Sequence, residues 1–361
     1  HAPTTHPYEG DPFSYLMIAR TMGAFYEPSV REPLFPALTR VALTLSGGRD
    51  IGINFVSAIS STLVALVTFA LGYRLSSALS GAIAAFLWTI EWQAIVLSTQ
   101  GWRDDLFALL VTTCVVAMLA LRRSPDRLTG SLLGIAGGLA LLTRLTSFSF
   151  LLPGIAAVLL LPAPASRGDR VRAAGLAALW MLLLAGPFMA ACAIGYGDPF
   201  HAINVHAAFY SRRAGHGATA NVSQMFSTLM SPWEFVQTGL TGLTSHPFSN
   251  KWFGIGALLP GLDEAARILA LAGLPVLLWR ADGVVAIVAF LGAIAPYAWT
   301  WNIPGGDEWR FTLPIYPLFL VSAAVAVETG WGISLGLTRS ASRRDSGRAI
   351  ARYAATAALL A

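Results

Sequence analysis

Long apolar runs recur along the chain, separated by short polar stretches, and they follow a first fifty residues that are polar and proline-punctuated. The runs lie near residues 51–73, 78–98, 105–121, 129–145, 147–162, 173–195, 265–280, 283–301 and 311–329. Several reach about 17–22 residues, the length that crosses the hydrocarbon core of a bilayer. They are continuously apolar rather than alternating, which argues against a β-barrel. The pattern therefore predicts an all-α, polytopic transmembrane helical bundle. The pair 129–162 reads as two short helices or a bent hairpin, because Thr143-Arg144-Leu145-Thr146-Ser147 interrupts it. Two amphipathic pieces precede the first span, at 13–25 and 34–45, and Pro33 and Pro36 fit the first turn of the second.

Composition agrees. The chain is 55% hydrophobic and 12% charged, about half the charge of an ordinary soluble domain, with a mean hydropathy of +0.61. The basic balance does not point to nucleic acid: the charge is almost all arginine in short loops, with one lysine, Lys251. Such loops report topology. With residues 1–50 outside, Arg74, Arg122, Arg123, Arg127, Arg167, Arg170, Arg172, Arg280 and 339–352 fall inside, and Asp11, Glu32, Asp104, Asp105, Asp307 and Glu308 fall outside. Residues 1–50 then form an outer-face loop with amphipathic helices, and 51–330 a membrane bundle that includes an outer loop at 197–251. Residues 331–361 form a basic cytoplasmic segment and the start of a further helix. Beginning at His1 and stopping within an apolar run, the sequence reads as part of a longer protein, with a helix expected before residue 1. Cys114 and Cys192 lie in apolar runs and suggest neither a disulfide nor a metal site.

Candidate chemistry gathers on the outer side. Asp11 is either a helix cap ahead of Pro12 or a general base, which needs a carboxylate at a semi-dry interface. Tyr15 shares its helical face. Arg31 and Glu32 form either a self-neutralising rim pair or a site in which Arg31 clamps a phosphate. In Arg103-Asp104-Asp105, two acids either complement a helix N-terminus or complete a polar pocket, and they leave a divalent ion (Mg²⁺ or Mn²⁺) open without defining a ligand set. Arg144 ends an apolar run, where a charge needs a partner such as Asp104, Asp105 or a substrate phosphate. Glu308 and Arg310 stand at the outer mouth before the last complete helix. His206 reads as an ordinary surface histidine. Glu91, an acid within an apolar run, is a functional candidate unless it reaches the interface.

Taken in order, these residues resemble the GT-C integral-membrane glycosyltransferases. More narrowly, they are similar to the bacterial branch of protein O-mannosyltransferases and the transferase that places aminoarabinose on lipid A. The resemblance rests on Asp11, Tyr15, Ala19, Gly23, Phe25 and Arg31-Glu32-Pro33-Leu34-Phe35-Pro36. It continues through Gly137-Gly138-Leu139-Ala140-Leu141-Leu142-Thr143-Arg144 and Arg310-Phe311-Thr312-Leu313-Pro314-Ile315-Tyr316-Pro317. Pro12 stands where the family often has a second acid, and Glu32 departs from its basic–Pro–Pro–Leu pattern.

The resemblance implies transfer of a sugar from a polyprenyl-phosphate donor to a lipid, glycan or protein acceptor on the outer face, with inversion. Asp11 is implied as base, and Arg31, Arg144 and Arg310 as holders of the lipid phosphate. Membrane lipids are the surrounding partner and no nucleic acid is expected. The alternatives are a lipid or polysaccharide transporter, and a scaffold of the same fold without chemistry. A transporter predicts charge deep in the bundle and internal repeats, whereas this chain concentrates charge at one rim.

Overall fold

The structure is a computed structural model; it describes residues 10–213, 232–249, 262–299 and 309–340. Helix α1 (Asp11–Thr21) and helix α2 (Leu34–Leu45) form a polar-rimmed hairpin at one end of the molecule. Gly47 and Gly48, at φ +69° and +82°, close α2 in the left-handed conformation that glycine adopts without penalty. The chain then enters α3 (Gly52–Leu75), followed by α4 (Ala78–Thr89), α5 (Trp92–Ser98), α6 (Asp104–Arg123) and α7 (Arg127–Thr143). A 3₁₀ turn at Leu145–Ser147 leads into α8 (Phe148–Leu160), then α9 (Arg167–Tyr196) and α10 (His201–Arg213). The remaining elements are α11 (Pro232–Ser249), α12 (Leu262–Leu278), α13 (Ala281–Ala298), a 3₁₀ segment (Trp309–Ile315) and α14 (Tyr316–Ser340).

Among the described residues, five helices are long and apolar enough to cross a membrane, or six when α4 and α5 count as one broken span. The chain is an integral multi-pass membrane protein. The stretch 78–98, expected as one span, bends by 59° between α4 and α5. Glu91 explains the break: it is fully buried and caps α5, its side chain accepting from Gln93 N at 3.2 Å. The interrupted pair resolves into two short helices, 17 residues for α7 and 13 for α8.

Helix α3 shows why a bilayer suits this surface. Phe55, Ile59, Leu63, Leu66 and Phe69, spaced by three or four residues, make one exposed apolar stripe. Its other face buries Ser57, Ser60 and Thr68 against the bundle. The most enclosed segments are α6 and the stretch leading into α14. Helices α7 and α9 approach closely through small residues at four-residue spacing: a Cβ on Gly134 would lie 2.6 Å from Ala177 O, and one on Gly130 2.7 Å from Ala173 O. Small residues let helices meet by van der Waals contact where lipid supplies no hydrophobic drive.

The up-and-down course divides the charges between two ends. One end gathers α1, α2, the start of α6, the end of α7, the end of α13 and the second 3₁₀ segment. At the other, Asp282 pairs with Arg122 and Arg123, each at 2.8 Å, while Arg122 also donates to Pro162 O at 2.6 Å and Arg280 to Leu75 O at 2.8 Å.

Candidate active site

The first turn of α1 delivers Asp11, although not as a helix cap. Gly10 takes the cap position at φ +65°, with Pro12 in the first turn. The Asp11 carboxylate turns instead to two guanidiniums, Arg31 on Oδ1 and Arg310, 3.1 Å from Oδ2. Two charge-assisted bonds outweigh a single backbone donor. Arg310 comes from the 3₁₀ segment and spans to a second acid, Asp104 Oδ2, at 3.6 Å. Asp104 Oδ1 pairs with Arg144, whose other amino group donates to Tyr297 OH. The result is a continuous chain of alternating charge: Arg31, Asp11, Arg310, Asp104, Arg144.

Aromatic rings enclose the arginines. Arg310 Cζ lies 4.0 Å from the Trp102 ring centroid and 4.7 Å from Phe311. Arg144 Cζ is 5.2–5.9 Å from Phe107, Tyr297 and Phe311, the last two stacked at 4.7 Å. Ring faces attract guanidiniums and exclude water, so the charges keep their position without being neutralised. Tyr297 is placed by a local device. Pro296 has no N–H for Gly292 O, and Ser149 Oγ donates there instead at 2.6 Å.

Beneath this chain lies a second, fully enclosed pair. Arg103 donates to Glu32 Oε2 at 2.6 Å and to Thr143 O at 3.0 Å, and Glu32 Oε1 accepts from Leu145 N at 2.9 Å. Both side chains are 4–5% exposed. This pair ties the start of α2 to the junction of α7 and α8, so it supports the site from below and does not line its mouth. Tyr15 is buried between them, its ring 5.4 Å from Arg103 Cζ and 5.5 Å from Arg31 Cζ, and its hydroxyl meets no hydrogen-bond partner among the described residues.

The electrostatics follow from these neighbours. Burial acts to raise the Asp11 pKa, but Arg31, Arg310 and Arg103 together bring it down to about 2. Burial likewise opposes ionisation of Glu32, yet Arg103 holds it below the ordinary carboxylate range. Tyr15 moves the other way: its burial pushes the phenol up to about 12.

Exposure sorts the candidates. Asp11, Arg31 and Arg310 are the open members, with side chains 24%, 16% and 10% accessible, whereas Asp104 and Arg144 form the floor. Asp105 is fully buried beside Ser61, pairs with no arginine among the described residues and stands outside the network. Glu308 lies outside the described residues. Among the described residues, the acids Asp11, Asp104 and Glu32 are each engaged by guanidiniums. Among the described residues, no three His, Cys, Asp or Glu gather as a metal site.

A family model described as dolichyl-phosphate-mannose-protein mannosyltransferase matches residues 27–190, under half of the chain. Among solved structures, ArnT from Cupriavidus metallidurans in the apo state matches with a TM-score of 0.56 at 15% identity. That match covers 91% of this chain and 57% of ArnT. The chain has the GT-C fold. ArnT bound to undecaprenyl phosphate gives a TM-score of 0.57 at 16% identity, covering 93% of this chain and 60% of that one. The oligosaccharyltransferase AglB from Archaeoglobus fulgidus, in complex with an inhibitory peptide and a dolichol-phosphate, gives 0.55 at 16% identity, covering 96% and 50%. The chain thus spans between half and three fifths of these GT-C proteins. No curated protein matches it by sequence.

Within the GT-C frame, two residues that sequence reasoning passed over join the site. Tyr297 sits in an apolar run and carried no visible signal beyond its neighbour Pro296. His206, read as a surface residue, is half-buried against Arg31. Its position in a polar segment, remote from every motif, hid it.

Proposed function

We propose that this chain is the donor-binding part of a membrane glycosyltransferase. It moves a sugar from a polyprenyl phosphate to an acceptor hydroxyl on the face opposite the arginine-rich ends, and Asp11 acts as general base. The observation that carries the reading is the Asp11 carboxylate between Arg31 and Arg310 at the open mouth of an otherwise apolar bundle. Loop arginines concentrated at the far end support the outer-face placement. The lipid phosphates bound in the ArnT and AglB structures support the donor class.

In this mechanism Asp11 accepts the hydroxyl proton as the acceptor oxygen bonds to the anomeric carbon. The bond from that carbon to the phosphate oxygen breaks, and polyprenyl phosphate leaves with the electron pair. Attack from the side opposite the leaving group inverts the centre. Negative charge grows on the leaving phosphate, where Arg31 and Arg310 supply fixed positive charge. A carboxylate with a pKa near 2 is a feeble base. As the two arginines turn to the phosphate, their hold on Asp11 loosens and its basicity rises.

The test is sugar transfer by the full-length parent protein in nanodiscs, with a panel of radiolabelled polyprenyl-phosphate sugars. Asp11→Asn should lower transfer by about 10²–10⁴-fold while undecaprenyl phosphate still binds. Equal transfer by both proteins would remove Asp11 as the base. No transfer with any donor, by folded wild-type protein, would sink the enzyme reading itself.

A further inference from the structure

Helix α10 brings a histidine to the outer flank of Arg31, and its two ring nitrogens have partners of opposite kind. His206 Nδ1 lies 2.7 Å from Ala202 O, one turn back along α10. A carbonyl oxygen only accepts, so Nδ1 carries the proton. Nε2 faces Arg31 Nη1, which only donates, so Nε2 presents its lone pair. The two contacts together define one tautomer of a neutral ring. The start of α10 is itself well anchored. Asp198 accepts from Phe200 N at 2.9 Å and from Asn204 Nδ2 at 2.7 Å, and the Phe200 ring meets Phe148 edge-on at 6.4 Å.

Arg31 is consequently fixed on three sides: Asp11 at Nη2, His206 at Nη1, and the Tyr15 ring 5.5 Å from Cζ. We infer that His206 is a positioning residue, whose neutral imidazole aims the Arg31 guanidinium at the site shared by Asp11 and the donor phosphate. The inference rests on the proposed function above. A neutral acceptor directs the guanidinium without consuming its charge. A carboxylate in the same place would compete with both Asp11 and the phosphate. The surrounding charges keep the ring neutral: burial, Arg31 and Arg103 outweigh Glu32 and bring its pKa down to about 4.

The experiment uses the full-length parent protein with four variants. His206→Gln keeps an acceptor near the Nε2 position, His206→Asn and His206→Ala do not, and His206→Glu adds the competing charge. Binding of undecaprenyl phosphate and the kcat and KM of sugar transfer are measured for each. The expected result is a loss of about tenfold in kcat/KM for Asn and Ala, the scale of one hydrogen bond to a charged group. That loss should appear in KM for the donor and in weakened undecaprenyl phosphate binding. Gln should restore both, and Glu should be worst.

Nitrogen NMR of labelled histidine supplies a readout independent of transfer. His206 should remain neutral and Nδ1-protonated at pH 6, and Arg31→Gln should raise its titration midpoint. A ring that titrates at the ordinary value and ignores Arg31→Gln overturns the inference. Wild-type donor binding in both Asn and Ala also overturns it, and leaves the glycosyltransferase reading intact. Failure of the wild-type protein to bind undecaprenyl phosphate overturns both.

Discussion

The two ends of the bundle each hold a knot of arginines and aspartates, and they use them differently. At the arginine-rich end Arg122 and Arg123 share the Asp282 carboxylate, but every guanidinium of the knot also finishes on a backbone carbonyl. Arg122 donates to Pro162 O, Arg123 to Arg74 O and Arg280 to Leu75 O. Arg170 does the same at Val158 O and Leu161 O. These are the unsatisfied acceptors left where helices stop, and a cation there also meets the negative end of the helix dipole. At the opposite end Arg31, Arg310 and Arg144 finish on carboxylates and lie against aromatic rings. A carbonyl at a helix end offers its arginine no competing partner, but a carboxylate–arginine pair can be opened by an incoming anion. One knot is a lock and the other can exchange partners.

Of the arginine knots, the largest effect should come from removing an arginine that two acids share. Arg310→Ala leaves Asp11 with Arg31 alone and Asp104 with Arg144 alone, and takes one clamp from the leaving phosphate. Transfer should fall by about 10²–10³-fold, the cost of losing one donor to developing negative charge. Arg280→Ala, at the lock, should leave kcat unchanged. Radiolabel transfer by the two variants side by side checks this. Equal losses would mean that both knots act only through stability.

The enclosed Glu32–Arg103 pair predicts the reverse pattern. Glu32→Gln strands a buried guanidinium and should cost about 3–5 kcal/mol of stability, read as a drop in the thermal midpoint in detergent. Undecaprenyl phosphate affinity of the protein that remains folded should change little. A variant that is stable but blind to the lipid would instead put Glu32 in the mouth of the site.

How much of this was legible depends on where each charge sits in the sequence. Asp11, Arg31, Asp104, Arg144 and Arg310 stand out because a charge at the rim of an apolar run is expensive without a partner. The partner of Arg144 was readable as Asp104 or Asp105, and Asp104 takes that place; the pairing of Asp11 with Arg310 was not, since they are 299 positions apart. The second amphipathic helix was visible to its ends, Leu34 and Leu45, because Pro33 and the glycines at 47 and 48 punctuate it. The broken span at Glu91 was hidden, as a buried cap and an intramembrane acid look alike in sequence. His206 was hidden for the opposite reason: a polar residue in a polar segment carries no signal until a partner is placed beside it.

Acid should distinguish the exchangeable knot by titration. The Asp11 carboxyl has its pKa lowered from the ordinary 3.8 to about 2. A lowered pKa means the folded state binds its proton later than the unfolded chain. Its contribution is therefore complete above about pH 4 and disappears as pH falls toward 2. The difference in thermal midpoint between wild type and Asp11→Asn should be flat from pH 8 to about pH 4.5 and then shrink. A difference that already shrinks near pH 6 would contradict the double arginine hold.

The smallest effect sharpens the comparison inside the lock itself. Arg122 and Arg123 grip the same Asp282 at the same 2.8 Å, yet their side chains are 2% and 48% exposed. Distance alone would rank them equal. Burial does not: an exposed pair exchanges protein contacts for water at little net gain, about 0–1 kcal/mol. Both arginines also donate to a backbone carbonyl, Arg122 to Pro162 O and Arg123 to Arg74 O, but the buried guanidinium has no water to fall back on and the exposed one does. Arg123→Gln should therefore shift the thermal midpoint barely at all, and 0.5 M salt should erase what shift there is, while Arg122→Gln should lower the midpoint several-fold further and resist salt. Midpoints that fall equally in both variants would show that Asp282 is held by charge count, and the distinction between a sealed helix end and a surface ion pair would fail at this site.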